Sequence, residues 1–297
     1  MSTEAESPPT IVALLLQRRS DLPRGERRVA QALVSTYPLA GLQTLAQLAA
    51  RAGVSGPTVL RLLARLGFAG YSDFQRALQE EVHERLATVG SFYDTDRVPD
   101  ESDVIATLLH RTRHNLAATI ANADAAELGK VVEVLADTRG RVVCLGGVFE
   151  QALALHLHVH LAMLRPDTVF VPAGSSLLWN EIAGLKRHDV VVAFDFRRYD
   201  ASTLAACRAA TARGARVVLF TDPWFSPIVV MAAHALICHT ESPSPFDSYT
   251  AGFAMVETIA AGLAMHLGSA AQTRIQAVEE LAGGVAPNNH GGSAAGR

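Results

Sequence analysis

The chain has 297 residues, 49% of them hydrophobic and 19% charged, with a formal net charge of −3. That length suits two domains, and an apolar composition with little net charge excludes a disordered chain. The longest charge-free apolar run, Gln151–Leu164, falls short of the roughly 20 residues a spanning helix needs, and the acidic start with its brief Ile11–Leu16 run does not read as a secretory signal.

The charge is uneven along the chain. From Arg18 to Arg76 there are nine arginines and three acids, a balance of +6; residues 1–17 carry −2, which leaves −7 beyond Arg76. A basic block on an acidic body points to a polyanion-binding module followed by something else. The block reads as helical throughout. Ile11–Arg19 is a short helix, and Glu26–Tyr37 follows with Val29, Ala30, Leu33 and Val34 at helical spacing before Pro38. Thr44 with Gln47 forms a capping box opening Leu45–Arg51, and Gly53 closes that helix in a left-handed turn. Ser55 as N-cap and Pro57 in the first turn start the next helix, which runs to about Leu66, and Tyr71–Leu86 is a further amphipathic helix. Two short helices joined by a tight Gly-containing turn make a helix-turn-helix. On its second helix, Ser55, Thr58, Arg61 and Arg65 lie opposite the leucines, where a recognition helix presents groups to bases and phosphates.

Polar, Pro-bearing residues 89–100 read as a linker. Helices Asp103–Asn122 and Ala125–Ala136 follow, and from Gly140 strands alternate with helices. The strands are Arg141–Leu145, Thr168–Val171, Val190–Phe194, Arg216–Phe220 and Ala235–Cys238. The helices between and after them are Phe149–Leu164, Ser176–Gly184, Ala201–Ala212, Ser226–Ala233 and Phe246–Leu267. This grammar predicts a doubly wound, five-stranded parallel sheet. The three cysteines (Cys144, Cys207, Cys238) fall in apolar surroundings and read as free thiols of a reduced, cytoplasmic protein, and residues 283–297 read as a disordered tail.

The stretch Leu22–Glu81 resembles the N-terminal domain of the RpiR/MurR family of bacterial transcriptional regulators. Its carriers are Glu26-Arg27-Arg28-Val29-Ala30, Leu45-Ala46-Gln47-Leu48-Ala49, Ala52-Gly53-Val54-Ser55, Thr58-Val59-Leu60-Arg61, Leu66-Gly67-Phe68 and Gly70-Tyr71-Ser72-Asp73-Phe74. The α/β half is similar to the SIS (sugar isomerase) domain that the same family carries as effector sensor. The resemblance spans about residues 11–267 and implies a helical domain at 11–88 and an SIS-like sensing and dimerisation domain at 101–270. It further implies a Gly-x-Gly-x-Ser loop after the first strand and a Ser-rich, phosphate-wrapping loop after the third. The sequence departs at both places, with Gly146-Gly147-Val148-Phe149-Glu150 and Asp195-Phe196-Arg197-Arg198-Tyr199-Asp200.

Ligands of such sheets bind beyond the carboxyl ends of the strands. The candidate effector residues are therefore Gly146, Gly147, Ser175, Ser176, Arg197, Arg198, Thr221 and Ser226, with the two arginines able to grip a carboxylate or phosphate or to pair with Asp195, Asp200 or a partner subunit's acids. The candidate DNA contacts are Ser55, Pro57, Thr58, Arg61, Arg65 and Tyr71. In the run His156-Leu157-His158-Val159-His160 a helix places only His156 and His160 on one face, which fits packing rather than a metal site. Glu150, Glu181, His188 and Glu257 are catalytic candidates by type alone, so neither a catalytic set nor a cofactor is expected. The reading is a dimeric or tetrameric regulator that binds an inverted-repeat operator in double-stranded DNA, answers a small anionic metabolite (a sugar phosphate or related acid) and has no membrane partner. A sugar-phosphate isomerase with an accessory domain, and a regulator whose effector pocket has degenerated, stay open beside it.

Overall fold

The computed structural model describes residues 10–18, 21–35, 37–86 and 101–283. The expected linker 89–100 lies outside this set, as does the expected tail apart from Gly283, which ends the last helix.

The N-terminal module consists of α1 (Ile11–Gln17), α2 (Arg24–Ser35), α3 (Leu39–Leu42), α4 (Leu45–Ala52), α5 (Gly56–Arg65) and α6 (Tyr71–Leu86). Its core is made by the residues that recur at helical spacing: Val29, Leu33, Leu48, Val59, Leu62, Leu63, Phe74 and Leu78 are fully buried. The Thr44/Gln47 capping box is formed on both sides. Gly53 adopts φ 60°, a left-handed conformation that favours glycine and lets α4 turn tightly into α5.

The second module opens with α7 (Glu101–Ala121) and α8 (Ala125–Ala136). There follow β1 (Val142–Gly146), α9 (Gln151–Leu164), β2 (Thr168–Val171), α10 (Leu178–Ala183), β3 (Val190–Phe194), α11 (Ala201–Ala212), β4 (Arg216–Thr221) and β5 (His234–Ile237). Helices α12 (Thr250–Leu267) and α13 (Ser269–Gly283) end it. All strand pairs are parallel, in the order β2-β1-β3-β4-β5. The order reverses between β1 and β3, which sets the switch point of the sheet there. Strands buried on both faces explain why they read as unbroken Val/Leu/Ala/Phe runs. Val142, Cys144, Val192, Phe194 and Phe220 pack toward α8, α9, α12 and α13. Val143, Leu145, Val191, Ala193 and Leu219 pack on the other face, whose cluster runs on through Ile228 and Val229 into the helical module.

Four local outcomes differ from the sequence reading, the first being the short helix α3, which it left unassigned. The helix expected at Ser226–Ala233 is one 3-10 turn, Pro227–Val230: the β-branched Ile228-Val229-Val230 run resists helix, and Ala233 N–H already bonds Val217 O at 2.8 Å as the chain enters β5. The last long helix begins at Thr250 rather than Phe246, because Asp247 is drawn into an ion pair with Arg197 and Ser248 N–H bonds Thr240 O. A helix the sequence reading left unassigned, α13, follows a break at Gly268. Helix α12 is the only described helix long and apolar enough to cross a membrane by length and composition, and its Val256, Ile259 and Leu263 are fully buried in the core.

Candidate functional site

The helix-turn-helix presents α5 outward. Val59, Leu62 and Leu63 are buried against α2 and α4, so the opposite face carries Ser55, Thr58 and Arg61 to the surface. These three form a chain: Ser55 Oγ lies 3.1 Å from Thr58 Oγ1, which accepts a hydrogen bond from the Arg61 guanidinium at 2.9 Å. Pro57 lies in the first turn and fixes its backbone. Arg65 is engaged differently. Its Nε lies 2.8 Å from Glu26 Oε2, and the Glu26 side chain is only 5% exposed, so the pair ties α5 to α2. Tyr71 donates its hydroxyl to Gln43 O at 2.8 Å, and partial burial raises its pKa, so its polar end braces the approach to α4. Gln75 Nε2 donates to the same carbonyl at 2.9 Å, a brace that sequence reasoning missed.

A second site lies at the switch point. A cavity of about 270 Å³ opens beyond the carboxyl ends of β1 and β3 and is lined by Gly147–Glu150, Arg197–Ala201, Phe246, Asp247 and Tyr249. Gly147, Arg197 and Arg198 are thus brought together, and the remaining effector candidates are not among its lining residues. Gly146 packs against the Phe194 carbonyl, which a Cβ there would meet closely, at 3.0 Å. Ser175 receives a bond from Leu177 N–H as a local turn, and Ser176 lies beside it. Thr221 and Ser226 are fully buried behind the cavity: Thr221 Oγ1 donates to Asp195 O at 2.8 Å, Ser226 Oγ bonds Asp195 Oδ2, and Ser226 N–H bonds Thr221 Oγ1 at 3.0 Å. They hold the loop after β4 in place. The arginines cross the mouth of the cavity. Arg197 pairs with Asp247 at 2.8 Å and Arg198 donates to Pro245 O at 2.9 Å, so both staple the loop after β3 to the loop before α12.

The residue that sequence reading undervalued is Glu150. It is 8% exposed, accepts the Tyr249 hydroxyl at 2.9 Å and lines the cavity. Burial raises its pKa, against hydrogen bonds from backbone amides and Tyr249 that favour the charged form. Asp195 behind it is pushed up to about 7 by burial, despite bonds from Ser226 and from the Asp200 amide, with the Glu150 and Asp222 charges adding to the rise. Asp222 accepts the Tyr199 hydroxyl and Trp224 N–H, both at 2.9 Å. The other residues singled out by type are elsewhere. Glu181 pairs with Arg141 at 2.8 Å, His188 is exposed at the opposite end of the sheet, and Glu257 lies 3.5 Å from His156 Nε2. His156 and His160 meet edge to face at 4.7 Å while His158 turns to Phe170, and among the described residues no group of three His, Cys, Asp or Glu is placed to hold a metal ion.

Comparisons with known proteins agree with both modules. Residues 10–85 match the helix-turn-helix domain of the rpiR family, and residues 135–262 match the SIS domain. An uncharacterised HTH-type transcriptional regulator of Haemophilus influenzae is 25% identical over 218 residues, covering 73% of this chain and 75% of that protein. The sugar isomerase domain of an RpiR transcription factor from Sphaerobacter thermophilus superposes with a TM-score of 0.56 at 24% identity, over 60% of this chain and 98% of that one. The Vibrio vulnificus NanR protein, in complex with ManNAc-6P, superposes with a TM-score of 0.53 at 20% identity, over 90% of this chain and 97% of that one. A basic helix-turn-helix module followed by a parallel α/β fold, each matched by its own family model, gives this chain a helix-turn-helix domain of the rpiR family joined to a SIS domain, and makes it similar to HTH-type transcriptional regulators.

Proposed function

We propose that this protein binds an operator in double-stranded DNA through α5 and that the cavity between β1 and β3 is its effector site. The observation that carries the DNA reading is the outward Ser55–Thr58–Arg61 chain on a helix whose other face is buried. Arg61 suits a guanine edge or a phosphate, Ser55 and Thr58 suit the backbone, and Arg65 and Tyr71 hold the module in shape. One small module reads too few bases for operator specificity, so the working form is a dimer or tetramer on an inverted repeat. The exposed Ile105, Leu108 and Leu109 on α7 offer an apolar surface for the second copy. The protein acts in the cytoplasm, and its sensor binds and releases a small polar metabolite without turning it over.

The test is retardation of the DNA upstream of this gene by the full-length protein. Wild type should retard it specifically and Arg61→Ala should not. A protein that retards no flanking DNA yet interconverts aldose and ketose phosphates would instead be an isomerase, and the proposal would fall.

A further inference from the structure

We propose that Arg24 and Arg28 of α2 grip the phosphate backbone alongside the groove that α5 reads, so that the strength of DNA binding and its sequence discrimination are carried by different arginines. This rests on the reading of α5 as the DNA-reading helix and extends the binding surface to a second element.

The start of α2 runs against its own dipole. Backbone N–H groups at a helix N-terminus favour acids and disfavour cations, yet Arg24, Arg27 and Arg28 all stand in the first five residues of α2. The acid among them, Glu26, is buried and taken by Arg65. Arg27 reaches back to Leu22 O at 3.1 Å. Arg24 and Arg28 are exposed, and among the described residues no carboxylate pairs with either, whereas Asp73 is spent on Arg76 at 2.6 Å. No ion pair among the described residues offsets their unfavourable place at this helix end, which an external polyanion would turn to advantage.

Both arginines stand beside the reading helix. The Arg28 guanidinium lies in the space that a side chain on Gly53 would take, so it sits over the turn between α4 and α5. A Cβ on Gly25 would stand 3.1 Å from the Thr58 methyl, which places the first turn of α2 beside the first turn of α5. Thr58 in turn accepts the Arg61 guanidinium at 2.9 Å. Arg28, the Gly53 turn, Thr58 and Arg61 therefore form one continuous surface that crosses from α2 to α5. Arg24 and Arg28 are four positions apart, about 6 Å along the helix axis, a spacing that two neighbouring phosphates of one strand can meet. An exposed guanidinium without an acid suits a phosphate. Each such contact releases a condensed counter-ion and strengthens binding to any sequence. Base discrimination stays with side chains that enter the groove, Arg61 among them.

The experiment follows binding of the full-length protein by fluorescence anisotropy over a series of KCl concentrations. Its probes are a labelled duplex of the DNA upstream of this gene and a scrambled duplex of equal length and composition. For Arg28→Gln the slope of log affinity against log salt should shrink by about 0.9, and for Arg24→Gln with Arg28→Gln by about 1.8. Affinity for the two duplexes should drop by the same factor, leaving their ratio at the wild-type value. Arg28→Lys, which keeps the charge, should restore the slope. Arg76→Gln, which removes the same charge from an arginine already paired with an acid, should leave the slope unchanged. An unchanged slope in the double variant, a loss confined to the upstream duplex, no rescue by lysine, or an equal loss from Arg76→Gln would each overturn the proposal. If Arg28→Gln does not fold, Arg24→Gln decides, with the same fall of about 0.9 expected. Wild-type protein that binds neither duplex would remove the DNA reading and this proposal with it, whereas wild-type binding with an unchanged slope in the variants removes this proposal alone.

Discussion

Arg61 and Arg65 stand one turn apart on α5, and the structure separates their work. Arg61 reaches only Thr58 and keeps its charge at the surface, whereas Arg65 covers the nearly buried carboxylate of Glu26. Arg65→Ala strands that carboxylate, which costs about 1–3 kcal/mol, so its Tm should fall by several degrees. Arg61→Ala should leave the unfolding free energy within about 0.5 kcal/mol of wild type and lose DNA retardation. Thermal unfolding of the two variants side by side checks both halves. The sequence could place both arginines on the polar face of a helix, because spacing alone does that. It could not say which had a partner, since Glu26 lies on another helix 39 positions away. Asp195 makes a second residue-scale prediction. Its folded pKa of about 7 stands above the ordinary 3.8, mainly through burial. The stability it lends is full below about pH 4 and is lost as pH rises toward 7. Asp195→Asn, which keeps a neutral group against Ser226, should not show that loss. The Tm gap between variant and wild type should therefore shift in the variant's favour from pH 4 to pH 8, and a pH-independent gap would refute the assignment.

At the scale of elements, the helices and strands followed from period and capping: the Thr44/Gln47 box, Gly53 and the five apolar runs all lie where short-range chemistry puts them. What was misplaced depended on partners distant in sequence. The start of α12 is delayed by Arg197, and the turn after β4 is cut short where Ala233 N–H bonds Val217 O. Arg165 drew no comment from the sequence. It is 1% exposed, and its guanidinium donates to the carbonyls of Leu135, Asp137 and Gly140. It thereby satisfies the carbonyl end of α8 and fastens the entry to β1. Lysine has the charge without the planar fork, so Arg165→Lys should lose about 3 kcal/mol through unmet buried carbonyls, measured by urea denaturation. Gly140 sits at the same corner, where a Cβ would press into the His188 carbonyl, so Gly140→Ala should also destabilise strongly.

For the molecule as a whole, the two modules meet through the loop after β4. Thr10 Oγ1 donates to Pro223 O at 2.7 Å, and the 3-10 turn Pro227–Val230 packs on α2. The same loop receives the Tyr199 hydroxyl at Asp222, and Tyr199 lines the cavity. Thr10→Val should loosen this junction. Amide exchange should quicken at Ile228 and along Ala30–Val34 and stay unchanged in β3; equal protection in variant and wild type would show that the bond does not hold the modules together. Composition set a basic stretch ahead of an acidic one, but nothing in the sequence marked that Thr10 and the turn after β4 would meet across it, because such contacts depend on residues far apart in the chain.

That contact makes the loop after β4 common to both ends of the molecule, and coupling through a shared element is reciprocal. Whatever factor the ligand imposes on operator affinity, the operator must impose on ligand affinity. Copies seated on DNA and copies in free solution would then respond at different metabolite concentrations. The threshold at which a DNA-bound copy responds would then differ from the affinity measured for the isolated protein. A titration run with and without operator fragment would read that offset directly.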